Sequence, residues 1–240
     1  MKIKKGKQKK AVRVVVYGSE GSGKTTLVAS LPKVLILDTE QGSNQLDVDR
    51  VPITSWDDIR DAFGELLKAG NGNREYDTLA VDSISVAETM LASVICQEGN
   101  RKSLADFDFG KGNVRLAERF TEFLKGADKL IARGYNVVMV GHSITRTQND
   151  PEIGSFDRFE IDLQRQTAPL LKRWADCVAF LKFQIAMKEP QNEKKRAVGG
   201  TERVLHTAHT ASYDAKSRIQ LPSKIGGDFK EFKAIFSSKK

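Results

Sequence analysis

The stretch Gly18-Ser-Glu-Gly-Ser-Gly-Lys-Thr25 confines this chain to few folds. It fits G-x-x-x-x-G-K-[ST], and its context suits the pattern: a β-branched apolar run at 12–16 leads in, and a predicted helix opens at Lys24. Glycines at 18, 21 and 23 carry no Cβ, so the backbone can curl and aim successive N–H groups at one point. The helix start adds orphan donors and the positive end of its dipole. Gly18, Ser19, Glu20, Gly21, Ser22, Gly23, Lys24, Thr25 and Thr26 therefore read as a phosphate cradle for a nucleoside triphosphate, expected to be ATP. Lys24 is placed to reach the outer phosphates and the Thr25 hydroxyl to join a Mg²⁺ shell. The competing reading is an ordinary Gly/Ser turn, and the strand–loop–helix context weighs against it.

The 240 residues allow one large domain or two small ones with a sizeable core. No linker is long enough to separate two, so a basic tail at 1–10 followed by one ATPase core at 11–240 is expected. No apolar run approaches a membrane span of about 18 residues. The basic N-terminus has no apolar stretch of the kind a signal peptide needs. Two distant cysteines in no metal spacing read as free thiols of a reducing cytoplasm. The net charge of +8, concentrated partly in the first ten residues, reads either as a solvated flexible end or as attraction to nucleic acid.

Strands are predicted at 11–17, 34–38, 78–82, 136–141 and 177–183, with a short apolar piece at 51–53. Helices are predicted at 24–31, from Ser55 toward Lys68, at 85–97, at 114–133 and at 168–174. Ser55 with Asp58 resembles a capping box, and Gly70-Asn-Gly-Asn73 is the stop after that helix. The alternation predicts a mostly parallel α/β sheet covered on both faces. Residues 98–113 read as an irregular loop and 143–166 as a long polar one. Segments 184–188 and 203–210, flanking a charged insert at 189–200, predict a C-terminal antiparallel hairpin.

Two strands end in carboxylates that such a site needs. Asp82 closes Leu79-Ala-Val-Asp82 at the sheet edge where open α/β sheets bind ligands, and its expected role is behind Mg²⁺; a helix N-cap is the alternative. Glu40, just past the strand at 34–38, is the candidate base that orients an attacking water.

The phosphate loop, Asp38-Thr-Glu40 and Val81-Asp82-Ser83 resemble, in that order, the core of RecA-type recombinases and their archaeal and eukaryotic relatives. The resemblance implies a RecA-like P-loop fold and makes Glu40 the catalytic glutamate. The family's glutamine that senses γ-phosphate is replaced here by His142, in Val140-Gly-His142, which can still donate a hydrogen bond; a structural histidine is the alternative. Lys216 and Arg218 are similar to the Lys-x-Arg pair of replicative hexameric helicases, which reaches a neighbouring subunit's γ-phosphate; a solvated basic turn is the alternative. Over about 11–225 the chain resembles small phage RecA-core ATPases of single-strand annealing and recombination. With about ten residues before the first strand, a helicase N-terminal domain and a recombinase polymerisation module are expected to be missing.

The resemblance also implies that the two segments after the third and fourth core strands face DNA. The first carries Arg101, Lys102 and Lys111 with Phe107 and Phe109; the second has Arg146, Arg158 and Arg165 with Phe156 and Phe159. Basic side chains track phosphates and rings stack on unpaired bases, but acidic neighbours dilute both segments and core phenylalanines are the alternative. The expectation is a Mg²⁺-dependent ATPase working as a ring or filament on single-stranded DNA in a phage-infected bacterial cytoplasm, with a single-strand-binding protein as a possible partner and no membrane. A replication-protein loader or remodeller, a signalling ATPase and a nucleotide-gated binding module stay open.

Overall fold

Val14, Val15 and Val16 are fully buried in β1 (Arg13–Gly18) of a computed structural model that describes residues 3, 5, 6, 10–68, 74–152, 154–188 and 196–237. The side chains of 185–188 and 196–199 are outside that description. So are most of the basic tail, the Gly70-Asn-Gly-Asn73 stop, residues 189–195 of the charged insert, and Lys239 and Lys240.

β1 is apolar from Val14 to Val16 because helices cover both faces of its sheet. Val14 and Val16 join one core cluster, while Val15 and Tyr17 join the other, as the two-residue period of a strand requires. Each such burial contributes about 1.5–3 kcal/mol, so a one-residue slip would be heavily penalised. Next in the sequence come β2 (Val34–Asp38), β3 (Asp49–Pro52), β4 (Thr78–Asp82), β5 (Asn136–Asp150), β6 (Gly154–Ile161), β7 (Cys177–Lys188), β8 (Arg196–His206), β9 (Lys216–Ser217) and β10 (Lys224–Ile225). The path across the sheet is β10-β8-β7-β1-β5-β4-β2-β3. From β7 to β3 every neighbour is parallel, while β8, β9 and β10 add antiparallel pairings.

The short helices α1 (Lys24–Ala29) and α6 (Lys230–Ala234) pack on one face. The other face takes α2 (Trp56–Lys68), α3 (Ile84–Glu98), α4 (Lys111–Ala132) and α5 (Ala168–Trp174). Ahead of α2, the Ser55 N–H donates to Asp58 and the Asp58 N–H donates to the Ser55 hydroxyl, the reciprocal pairing its sequence suggests. No helix among the described residues is long and apolar enough to cross a membrane.

Two expected loops are ordered structure. Residues 143–166 consist largely of a β-hairpin, with Ser143 opposite Ile161 and Asp150 opposite Gly154. Residues 98–113 hold two 3₁₀ turns, Leu104–Asp106 and Asp108–Gly110, the first closed by a Ser103–Asp106 capping box. The C-terminal hairpin is present, but its first strand is continuous with β7 and its second begins at Arg196.

Register places both hairpins beside the phosphate loop. Gly18 lies opposite His142 of β5 on one side and Leu181 of β7 on the other. The later residues of β5 and β7 therefore continue past the C-terminal edge of the sheet, each paired with its antiparallel partner. Gly18 tolerates no side chain, because a Cβ there would stand 2.1 Å from the Leu181 carbonyl oxygen.

His206 ties β8 to the segment that follows it, its Nδ1 2.9 Å from the Tyr213 hydroxyl. Burial, together with the Lys182 and Lys224 charges, lowers its pKa to about 4 from an ordinary 6.5. The unfolded chain thus takes up this proton first as pH falls. The neutral form's contribution is complete above about pH 6.5 and is lost as pH falls through about 4. Thermal unfolding followed from pH 7 to 4.5 should show a loss of about 1–2 kcal/mol from this group, allowing for screening of the lysines, and His206→Gln should flatten that slope. An unchanged slope in the variant would assign the acid sensitivity elsewhere.

Candidate active site

The loop after β1 is folded by its own side chains. The Ser22 hydroxyl donates to the Ser19 carbonyl at 2.7 Å, and Gly21 and Gly23 take positive φ values of 69° and 87°. Gly23 caps α1, and its carbonyl accepts the first helical bond, from the Leu27 N–H. Lys24 is buried, and its ammonium donates to the Gly18 and Ser19 carbonyls at 3.0 and 2.9 Å. Burial lowers its pKa, against the opposing charges of Asp82, Glu40 and Glu20. A desolvated cation resting on carbonyl dipoles in a ring of turned backbone suits an anionic ligand. Ser19, Glu20 and Thr26 are exposed beside it.

The Thr25 hydroxyl donates to Asp82 at 2.6 Å, joining α1 to the end of β4. Burial raises the Asp82 carboxyl pKa; Thr25 opposes this, and the Glu40 and Asp38 charges add to it. Among the described residues no group of three or more His, Cys, Asp or Glu side chains could cage a metal. One carboxylate and one hydroxyl fit Mg²⁺, which keeps waters and phosphate oxygens in most of its positions.

Glu40 is held from two elements. Its carboxylate accepts the Ser83 hydroxyl, at the start of α3, and His142 Nε2, at 2.6 Å from β5. Burial pushes the Glu40 carboxyl up, but the Ser83 and His142 hydrogen bonds and the His142 and Lys24 charges outweigh it, so the group sits below its ordinary value and stays ionised. An ionised carboxylate accepts hydrogen bonds only, which is what orienting a water requires. His142 Nδ1 is buried without a hydrogen-bond partner among the described residues.

Sequence reasoning passed over Asp38 and Thr39. The buried Asp38 carboxylate accepts the N–H groups of Glu40, Gly42 and Ser43 and the Ser43 hydroxyl, so the turn bearing Glu40 is wound around it. These bonds outweigh burial and hold its pKa low. Thr39 Oγ1 accepts the Ser83 N–H at 2.7 Å and donates to the Ser83 carbonyl at 3.2 Å, locking β2 to the start of α3. The available signal was that Asp38, like Asp82, ends an apolar strand.

Lys216 and Arg218 lie apart from this cluster. Ser217 pairs with Cys177 at the start of β7, whereas Gly18 lies opposite Leu181, about 13 Å further along at strand spacing. Arg218 pairs with Asp176 at 3.5 Å and donates to the Arg173 carbonyl. Within one chain the two residues stand at the opposite sheet edge from the phosphate loop.

The basic residues assigned to DNA divide into two sets. Arg101, Lys102 and Lys111 are exposed on the α3–α4 connection. Phe107 beneath them is buried, as a core phenylalanine would be, while Phe109 is 98% exposed. Arg146 and Arg158 are engaged within the chain. Arg146 pairs with Glu160 and donates to the Leu163 carbonyl; Arg158 pairs with Asp214, donates to the Ala211 carbonyl and lies over the half-buried Phe156 ring. Phe159 stacks on Phe180. In this structure Arg146, Arg158 and Phe159 are thus held by partners within the chain, on a hairpin rather than a loop.

A parallel sheet carrying this loop, with a threonine–carboxylate pair and a second carboxylate at the same edge, defines a P-loop NTPase. The family model described as AAA domain matches residues 10–219, and the chain belongs to that family. None of the curated proteins matches it.

Proposed function

We propose that the chain is a Mg²⁺-dependent ATPase with a RecA-like core that acts on single-stranded DNA in phage-type recombination or annealing, in the cytoplasm of an infected bacterium. The observation that carries the hydrolytic part is Glu40, ionised and fixed between Ser83 and His142 at the edge that also presents Lys24 and Thr25. In this reading Lys24 and the loop N–H groups bind the phosphates, Thr25 and Asp82 hold the cation, and Glu40 accepts a hydrogen bond from the water and aims it. Bound Mg²⁺ would neutralise charge on the phosphate oxygens. His142 adds one donor at Nε2 to Glu40 and leaves Nδ1 for a phosphate oxygen or a water.

The DNA part rests on the charge of +8 and on connectivity. The β5–β6 hairpin starts at Ser143, the residue after His142, so a change at Nδ1 has one peptide to cross before it reaches a projecting arm. The engaged state of Arg146 and Arg158 shifts the proposed contacts toward Arg101, Lys102 and Lys111.

An ATPase assay with and without single-stranded DNA, run beside a measurement of particle size, tests both parts. DNA should stimulate turnover several-fold; an ATP analogue should tighten DNA binding relative to ADP, and by reciprocity DNA should tighten binding of that analogue. Binding should weaken steeply with salt, and Lys102→Ala with Lys111→Ala should lessen that slope by about 2. Turnover without any DNA response would favour a loader or remodeller, and no turnover would favour a gated binding module.

A further inference from the structure

A basic side chain against the loop's last glycine comes from a strand that carries no motif. Leu181 of β7 is flanked by Gly18 on one side and Leu205 of β8 on the other, so Leu205 is level with the start of the phosphate loop. β8 runs antiparallel, and Arg203, opposite Phe183, is two residues further past the sheet edge. Arg203 shares its strand face with Leu205, which packs in the same cluster as Leu27 and Val28 of α1. Its guanidinium comes to the start of that helix: a Cβ on Gly23 would stand 2.5 Å from Arg203 Nη1 and 2.7 Å from its Cζ. The positive φ is what Gly23 is needed for, and the arginine tip lies in the space beside it.

Arg203 is half-buried, and its guanidinium lies over the Phe183 ring at 5.7 Å. Among the described residues no carboxylate pairs with it, whereas Arg13, Arg119, Arg146, Arg158 and Arg218 all have one. A partly desolvated guanidinium normally takes a carboxylate or a phosphate, because its planar fork matches both. Here the guanidinium lies over a ring and beside a loop built to receive phosphates.

We propose that Arg203 is a further nucleotide-binding residue, which contacts a phosphate oxygen of the nucleotide from within the same chain. The proposal rests on the nucleotide reading of the loop and goes beyond it by adding a contact from β8. Lys216 and Arg218, at the opposite edge, cannot supply this charge within one chain.

The test uses the full chain and its Arg203→Gln and Arg203→Lys variants, with dissociation constants for ADP and a nonhydrolysable ATP analogue, and thermal unfolding with and without each nucleotide. Arg203→Gln should weaken both nucleotides ten-fold or more and shrink the nucleotide-induced rise in Tm, while leaving the nucleotide-free Tm in place. Arg203→Lys should recover part of the affinity, because it keeps the charge and loses the fork. Wild-type affinities in Arg203→Gln would overturn the proposal, as would a lowered nucleotide-free Tm with the nucleotide-induced rise intact, the mark of packing alone. If wild type itself binds neither nucleotide, the reading of the loop fails and this proposal with it; wild-type binding with an indifferent Arg203→Gln removes only the arginine.

Discussion

Glu40→Gln should leave nucleotide affinity within about two-fold of wild type and lower turnover 10²–10⁴-fold, the usual share of a positioned general base. Glutamine keeps an oxygen to accept from Ser83 and His142, so the turn wound around Asp38 has no reason to move. What is lost is the negative charge that orders a water and takes its proton. Lys24→Ala should behave differently, losing binding and turnover together, because in the proposed role the ammonium would contact the phosphates before as well as during reaction. The separation of the two phenotypes identifies the roles. Because Glu40 is held below its ordinary pKa, the rate should also persist on the acid side until the carboxyl takes a proton, and fall only below the usual glutamate range. Wild-type turnover in Glu40→Gln, measured at saturating nucleotide, would remove Glu40 from the chemistry.

How much of this was legible in the sequence depends on the range of the forces involved. The loop from Gly18 to Thr25 is local: its glycines, lysine and threonine must be adjacent, so a short window reveals them. Asp82 and Glu40 were legible because a buried parallel strand reads as an apolar run, and its end marks the sheet edge. The β5–β6 hairpin was not, since its half-buried face carries Arg146, Gln148, Arg158 and Glu160, so no apolar alternation distinguishes it from a loop. At 98–113 the Ser103–Asp106 cap was the missed signal. α6, of five residues, is too short for a period, and Phe232 and Phe236 become core only when packed with the α1 face of the sheet. Arg203 illustrates the limit: nothing near it in sequence points to a phosphate loop 180 residues away, and only the register of β8 on β7 on β1 brings it there. The same register moved Lys216 and Arg218 away from the loop of their own chain.

Mixing Lys24→Ala chains with Arg218→Ala chains should restore hydrolysis that neither variant has alone, if Arg218 serves a neighbouring copy. The geometry makes this a sharp test, because Arg218 stands at the sheet edge opposite its own loop and any action on a phosphate must be on another chain's. An arginine supplied in trans contributes 10³–10⁵ in rate, so an interface pairing an intact loop with an intact arginine would stand well above background. Release from Asp176 and the Arg173 carbonyl is part of the energetic cost of such a contact, and it falls on assembly rather than on folding. Specific activity should accordingly rise with protein concentration in wild type. Lys216→Ala should follow Arg218→Ala, since the two residues lie on the same short segment against β7. Absence of rescue at every mixing ratio, in samples whose size distribution shows mixed assemblies, would return both residues to a structural role at the foot of β7.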